Sequence, residues 1–252
     1  MRWTDTYRRA RTSVARCLFA VLCAGAASLT LLASPQQEPA QSQPALPPRS
    51  SAAVQPQFLI VIDAAHGGAD TGAHLAAHLD EKDMVLALSI RLRSMLTARG
   101  ISVVTTREGD VTLPPAKRAA IANAHKAAAC LILHASESGS GIHLFTSSLP
   151  PAQAATFLPW DQAQAAYLQR SLRWAAEINA AMTHAGVPVT LGRTAMQPLD
   201  NMTCPAAAVE IAPLTRQGAI TAAITDPDYQ SRILAGLAAA VESWRQDWTA
   251  QP

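Results

Sequence analysis

Four side chains combine residue types and settings that hydrolytic chemistry needs. His66 follows the apolar run Phe58-Leu59-Ile60-Val61-Ile62 and directly precedes Gly67-Gly68. His134 ends the stretch Leu131-Ile132-Leu133, and Glu210 interrupts the otherwise apolar Ala208-Val209-Glu210-Ile211. Glu81 opens a long amphipathic segment. Each has an ordinary reading: a hydrogen-bonding histidine, a glutamate paired with arginine, or a first-turn acid favoured by the helix dipole. Together they offer more. Two imidazoles and one carboxylate are the ligand set of a catalytic zinc that keeps one position for water. A further carboxylate can serve as general base. His74 and His78 are spaced i, i+4, but Leu75 stands where a zinc-binding helix carries glutamate, so they are not read as ligands. His125 and His143 read as surface or packing residues, and Trp160, Trp174, Trp244 and Trp248 as core or helix-packing residues, with lining of the groove as the alternative for Trp160 in its proline loop.

Those residues need a scaffold that brings distant segments to one place. Apolar strand-like runs at 58–62, 101–105, 130–134, 142–146 and 206–211 alternate with helical patterns at about 81–99, 115–127, 161–185 and 228–248. Asp80 reads as the N-cap of the first helix, with Asp83 at its third position. Gly100 and Gly186 stop two of the helices. Short strands buried on both faces and alternating with helices predict an α/β, three-layer fold with a mainly parallel central sheet flanked by helices. In such sheets, sites gather beyond the carboxyl ends of the strands, where His66, His134 and Glu210 fall.

Composition divides the chain. Residues 1–56 hold six Arg against two acids, so the remainder of a chain of net charge +2 is net negative. That excludes an electrostatic case for nucleic acid. Arg2, Arg8, Arg9, Arg11 and Arg16 precede an uncharged run from Cys17 to Ala33. Residues 1–35 therefore read as an export signal or a signal anchor, with membrane anchoring through residues 17–33 as one outcome and cleavage as the other. Residues 36–56 are a Pro/Gln/Ser-rich linker, and residues 57–252 form one domain. Cys130 and Cys204 read as two buried free thiols, although an oxidising compartment would permit pairing.

The motif residues resemble a known family. Ile62-Asp63-Ala64-Ala65-His66-Gly67-Gly68-Ala69-Asp70-Thr71-Gly72-Ala73 is similar to the I-D-P-G-H-G-G-x-D-x-G-A motif of the zinc-dependent N-acetylmuramoyl-L-alanine amidases. Val104-Thr105-Thr106-Arg107 resembles the family's threonine–arginine strand end, and Arg118 to Asn123 its R-x-x-x-A-N helix. Leu133-His134-Ala135-Ser136 resembles S-I-H-A-N, and Pro205 to Ala212 resembles P-x-x-L-V-E-x-G-F. The chain departs from the pattern at Ala64-Ala65 for Pro-Gly, Ile132 for Ser, Ser136 for Asn, and Ile211-Ala212-Pro213 after the glutamate. Carried over by position, the resemblance implies Zn2+ bound by His66, Glu81 and His134, with Glu210 as base. It also implies peptidoglycan or muropeptides as substrate and an exported, periplasmic or envelope location. Whether a protein activator takes part stays open. So do two rivals: a non-catalytic peptidoglycan-binding or regulatory domain, and a zinc peptidase acting on another amide, because ligand sets do not fix substrates.

The domain boundary is testable. A chain beginning at Gln57 should unfold in one cooperative thermal transition followed by circular dichroism. A molten or insoluble product would move the boundary.

Overall fold

A computed structural model describes residues 57–153 and 157–250, and the leader and linker read at 1–56 lie outside them. In chain order the elements are β1 (Leu59–Ala64), β2 (His74–Ala76), β3 (Leu79–Asp80), α1 (Glu81–Thr97), β4 (Ser102–Thr105), α2 (Pro115–Ala124), β5 (Ala129–Ala135) and β6 (Ile142–Ser147). A 3₁₀ turn (Trp160–Ala166), α3 (Leu168–His184), β7 (Val189–Thr194) and a short 3₁₀ turn (Leu199–Asn201) follow. β8 (Ala206–Ile211), β9 (Leu214–Arg216), β10 (Ala219–Ala222) and α4 (Pro227–Ala250) complete the fold. Among the described residues no helix is long and apolar enough to cross a membrane.

The main sheet has the order β4-β1-β5-β8-β6-β7. β4, β1, β5 and β8 run parallel, whereas β6 is antiparallel to β8 and carries β7 parallel to itself. The reversal follows from loop length. A parallel return needs a crossover of about a dozen residues, and only residues 136–141 separate β5 from β6. α3 then supplies the crossover that returns β7 parallel to β6.

Side-chain alternation gives the sheet two apolar faces. Leu131, Leu133, Val209 and Ile211 pack with Leu88 and Leu92 of α1, Trp174 and Ile178 of α3, and Leu237 and Val241 of α4. Val61, Ile132, Ala206 and Ala208 face the other way, toward Ala122 of α2 and Leu199 and Met202. The three-layer α/β arrangement expected from the strand–helix alternation is therefore present, with most of the apolar mass on one side.

Several local expectations change. β7 escaped the sequence reading because Thr190, Gly192 and Arg193 interrupt its apolar pattern. It pairs with β6 alone, as an edge strand can tolerate. The helix expected over 161–185 is broken at Tyr167. There Gln164 is wholly buried, donating to the carbonyls of Met202 (2.8 Å) and Cys204 (3.1 Å) while accepting from Ser171, which pins the turn. Asp80 does occupy the N-cap position of α1, but its carboxylate binds His74 instead of capping the helix. Trp174 and Trp244 lie in the core, whereas Trp160 is 65% exposed, contrary to its expected packing role.

The free-thiol reading is corrected as well: Cys130 and Cys204 form a disulfide. β5 and β8 pair with Cys130 opposite Ala206, so Cys204, two residues upstream, projects from the same face as Cys130. The bridge closes a separation of 74 residues and brings the Cα atoms to 6.1 Å. A link of that span restricts the unfolded chain, so Cys130→Ala/Cys204→Ala should lose roughly 2–4 kcal/mol. A lowered urea midpoint checks this, and reductant should lower the wild-type midpoint alike.

Candidate active site

The first candidate ligand sits on a strained turn. His66 follows β1 with φ +61°, a left-handed conformation that residues with a Cβ seldom adopt. One buried side chain holds the turn in place. Arg107 donates from Nε to Ala64 O (2.9 Å) and from Nη2 to Ala65 O (2.9 Å) and Lys82 O (2.7 Å), with Nη1 reaching Gly109 O (3.2 Å). Its guanidinium therefore ties the strand end, the start of α1 and the 107–110 loop together. Burial pushes the Arg107 pKa down, but guanidinium starts so high that it stays a cation. Beneath this turn, wholly buried Asp63 accepts from Arg118 Nη1 (2.6 Å) and Thr106 Oγ1 (2.5 Å). The Asp, Thr and Arg of the sequence motifs are thus one network under the histidine loop.

Asp70 orients the imidazole of His66, with its Oδ1 2.9 Å from Nδ1, so that Nε2 points at Glu81 Oε2, 3.1 Å away. The hydrogen bond with Glu81 raises the His66 pKa above its ordinary value; burial opposes this and Asp70 adds to it. Gly72 completes the turn with φ +66°, and a Cβ there would lie 2.5 Å from Glu81 Oε2 and 2.7 Å from His66 Cδ2. No larger residue fits between the two side chains.

Glu81 is the first residue of α1 and is 5% exposed. Its Oε1 accepts from His134 Nδ1 (2.8 Å) and the Ala135 amide (3.1 Å), and its Oε2 from the Ala73 amide (2.9 Å). Burial alone would push this carboxyl up. The bonds from His134, His66 and Ala73 outweigh it and hold the group well below the usual carboxylate range. His134 stands at the end of β5 with its ring edge-on to His66, centroids 5.2 Å apart. Its Nε2 is buried without a hydrogen-bond partner. His66, Glu81 and His134 each offer a ligand atom, and these atoms lie within 4.8 Å of one another. The cluster could hold a metal ion.

The fourth residue lies one strand away. Glu210 on β8 is directly opposite His134 on β5, on the same sheet face. Between them opens a cavity of about 300 Å³ lined by His134, Phe145, Thr194, Met196, Ala208 and Glu210. Glu210 pairs with no arginine among the described residues; its Oε1 accepts from His143 Nδ1 at 2.7 Å. His143 was read from sequence as a surface or packing residue. Its alternation with Phe145 placed it on one face, but only the β6–β8 pairing sets it opposite Glu210. His74 and His78 lie in the β2–β3 hairpin region and outside the cluster, as their rejected i, i+4 spacing implied.

The sequence profile of the N-acetylmuramoyl-L-alanine amidase family matches residues 60–243. The chain is 32% identical over 144 residues to the N-acetylmuramoyl-L-alanine amidase AmiC of Neisseria meningitidis serogroup B, covering 55% of this chain and 34% of that protein. Among solved structures, it resembles the catalytic domain of CwlV, an N-acetylmuramoyl-L-alanine amidase from Bacillus (Paenibacillus) polymyxa var. colistinus. There the TM-score is 0.57 at 24% identity, over 75% of this chain and 99% of that one. It also resembles the CwlD amidase of Clostridioides difficile, solved in complex with the GerS lipoprotein, with TM-score 0.53 at 18% identity over 76% of this chain and 100% of that one. The chain spans about a third or less of the length of the curated relatives it matches. The structural likenesses establish the fold, and the profile match runs from β1 into α4. On that match, this chain belongs to the N-acetylmuramoyl-L-alanine amidase family.

Proposed function

We propose that this chain hydrolyses the amide between the lactyl group of N-acetylmuramic acid and L-alanine in peptidoglycan, using zinc held by His66, Glu81 and His134 and Glu210 as general base. The observation that carries this reading is the convergence of one ligand atom from each of those three side chains to within 4.8 Å of one another, beside a cavity that His134 and Glu210 line. The donor set suits zinc: two imidazoles and one carboxylate held ionised. When bound, zinc polarises the scissile carbonyl and brings the pKa of water down to about 7.

The chain's own groups supply the rest. Asp70 and Arg107 hold His66 in its turn, and the Ala73 and Ala135 amides fix the Glu81 carboxylate. Glu210 takes a proton from the attacking water as its oxygen bonds to the carbonyl carbon. It then delivers that proton to the nitrogen of L-alanine as the C–N bond breaks, leaving a carboxylic acid and a free amine. The leader read at residues 1–35 suits delivery to the envelope, where this substrate lies, with residues 17–33 able to tether the domain. A protein activator is a further proposal, supported by the relative solved with a lipoprotein.

Purified protein should carry one zinc per chain and clear a zone in a cell-wall zymogram, and chelator should abolish the clearing. Mass analysis of the products should show the lactyl–alanine bond cut. Zinc-loaded protein that binds cell wall without cutting it would make this a binding domain, and cleavage of a different amide would make it a peptidase of other specificity.

The two glutamates should separate by assay. Glu210→Gln keeps shape and removes the proton acceptor, so turnover should fall by roughly 10²-fold, about 2.7 kcal/mol of barrier, with zinc retained. Glu81→Gln should lose zinc affinity first, and added zinc should restore part of the activity. Undiminished turnover in Glu210→Gln would remove its assignment as base.

A further inference from the structure

The histidine bonded to Glu210 has no part in the mechanism above. β8 lies between β5 and β6, and Glu210 is the register partner of both His134 and His143. The three side chains form a row across neighbouring strands, since directly opposed residues share a sheet face. His143 is the one hydrogen-bond partner of the Glu210 side chain among the described residues, at 2.7 Å from Nδ1 to Oε1. An ionised carboxylate only accepts, so Nδ1 carries the proton in this contact.

The ring is held from its other side. Gly139 has φ +98°, and a Cβ there would sit 2.2 Å from His143 Cε1 and 2.6 Å from Nε2. Only glycine lets the loop between β5 and β6 lie against the imidazole. The side chains of His143 and Glu210 are 22% and 34% exposed, and partly exposed pairs of this kind add little stability. What the contact does supply is direction. Glutamate has a long rotatable side chain, and a base must meet its proton within hydrogen-bond reach. With Oε1 engaged by β6, Oε2 is the oxygen left for the reacting water.

We propose that His143 is a positioning residue: its Nδ1–H holds one oxygen of Glu210 so that the other faces the scissile amide. This rests on the assignment of Glu210 as the base. Turnover should therefore depend on a donor at the Nδ1 position, whereas substrate binding and folding should not. The test uses the full zinc-loaded protein with a soluble muropeptide substrate, comparing wild type, His143→Ala and His143→Asn, whose side-chain amide nitrogen replaces Nδ1 nearly atom for atom. His143→Ala should lower kcat by roughly 10-fold or more, with KM within about twofold and zinc content and melting temperature unchanged. His143→Asn should recover most of the lost kcat. Independently of turnover, imidazole ¹⁵N NMR of the wild type should show His143 protonated at Nδ1. Wild-type kcat in His143→Ala, no recovery in His143→Asn, or an Nδ1 without a proton would each overturn the role. A zinc-loaded wild type that cuts no muropeptide would instead overturn the reaction on which the role rests.

Discussion

The carboxylate of Glu81 is taken out of water and kept ionised by donors from several parts of the chain. His66 reaches it from beyond β1, the Ala73 amide from the following loop, and His134 and the Ala135 amide from the end of β5. A buried ionised group without such partners would cost several kcal/mol. The surrounding architecture meets that requirement. β1 and β5 must be adjacent and parallel, as they are. α1 must begin at the same sheet end, which the Glu81 amide secures by donating to Ala73 O at 2.8 Å. The clustering of the three candidate ligands and the local folding problem are therefore one problem.

Holding His66 in a left-handed turn costs of order 1–3 kcal/mol, and the structure offsets this with Arg107. Three of its contacts converge on the carbonyls of Ala64, Ala65 and Lys82. The departure at Ala64-Ala65 then has a simple account. Ala65 is fully buried and does not adopt a positive φ; its amide donates to Leu133 O at 3.1 Å. Neither glycine freedom nor proline stiffness is needed there, because the left-handed residues are His66, Gly67 and Gly68. Ile132 likewise fits where serine is usual, since its side chain is fully buried in the second apolar cluster. After Glu210, Ile211 packs into the main core while Ala212 O accepts from Tyr229 Oη at 2.8 Å. The segment stays anchored without the family's glycine–phenylalanine pair.

The two sheet faces divide the labour. One carries most of the apolar contacts with α1, α3 and α4. The other is thinly covered beyond α2, and there His134, Glu210 and His143 emerge beside Ala208 and Phe145. A groove can open on that face because the main core does not depend on filling it. The antiparallel entry of β6 brings a third strand into the site.

Much of this was legible in the sequence. Apolar runs of strand length between helix-length periodic segments called for a layered α/β sheet, because backbone groups buried on both faces must pair within it. His66, His134 and Glu210 stood out as polar residues at the ends of apolar strands, and Glu81 as the acid opening the helix after the His-Gly-Gly loop. The tertiary structure alone decided which segments meet. Cys130 and Cys204 are 74 residues apart and become neighbours only through the β5–β8 register. His143 looked like an ordinary strand residue until β6 paired with β8 and set it against Glu210. β7 lacked an apolar signature because an edge strand is half solvated. Periodicity reports which face of a strand is buried, but not which strand lies beside it, and it was that adjacency that made the disulfide and the His143–Glu210 contact, as the docking of α2 under β1 made the buried Asp63–Arg118 pair.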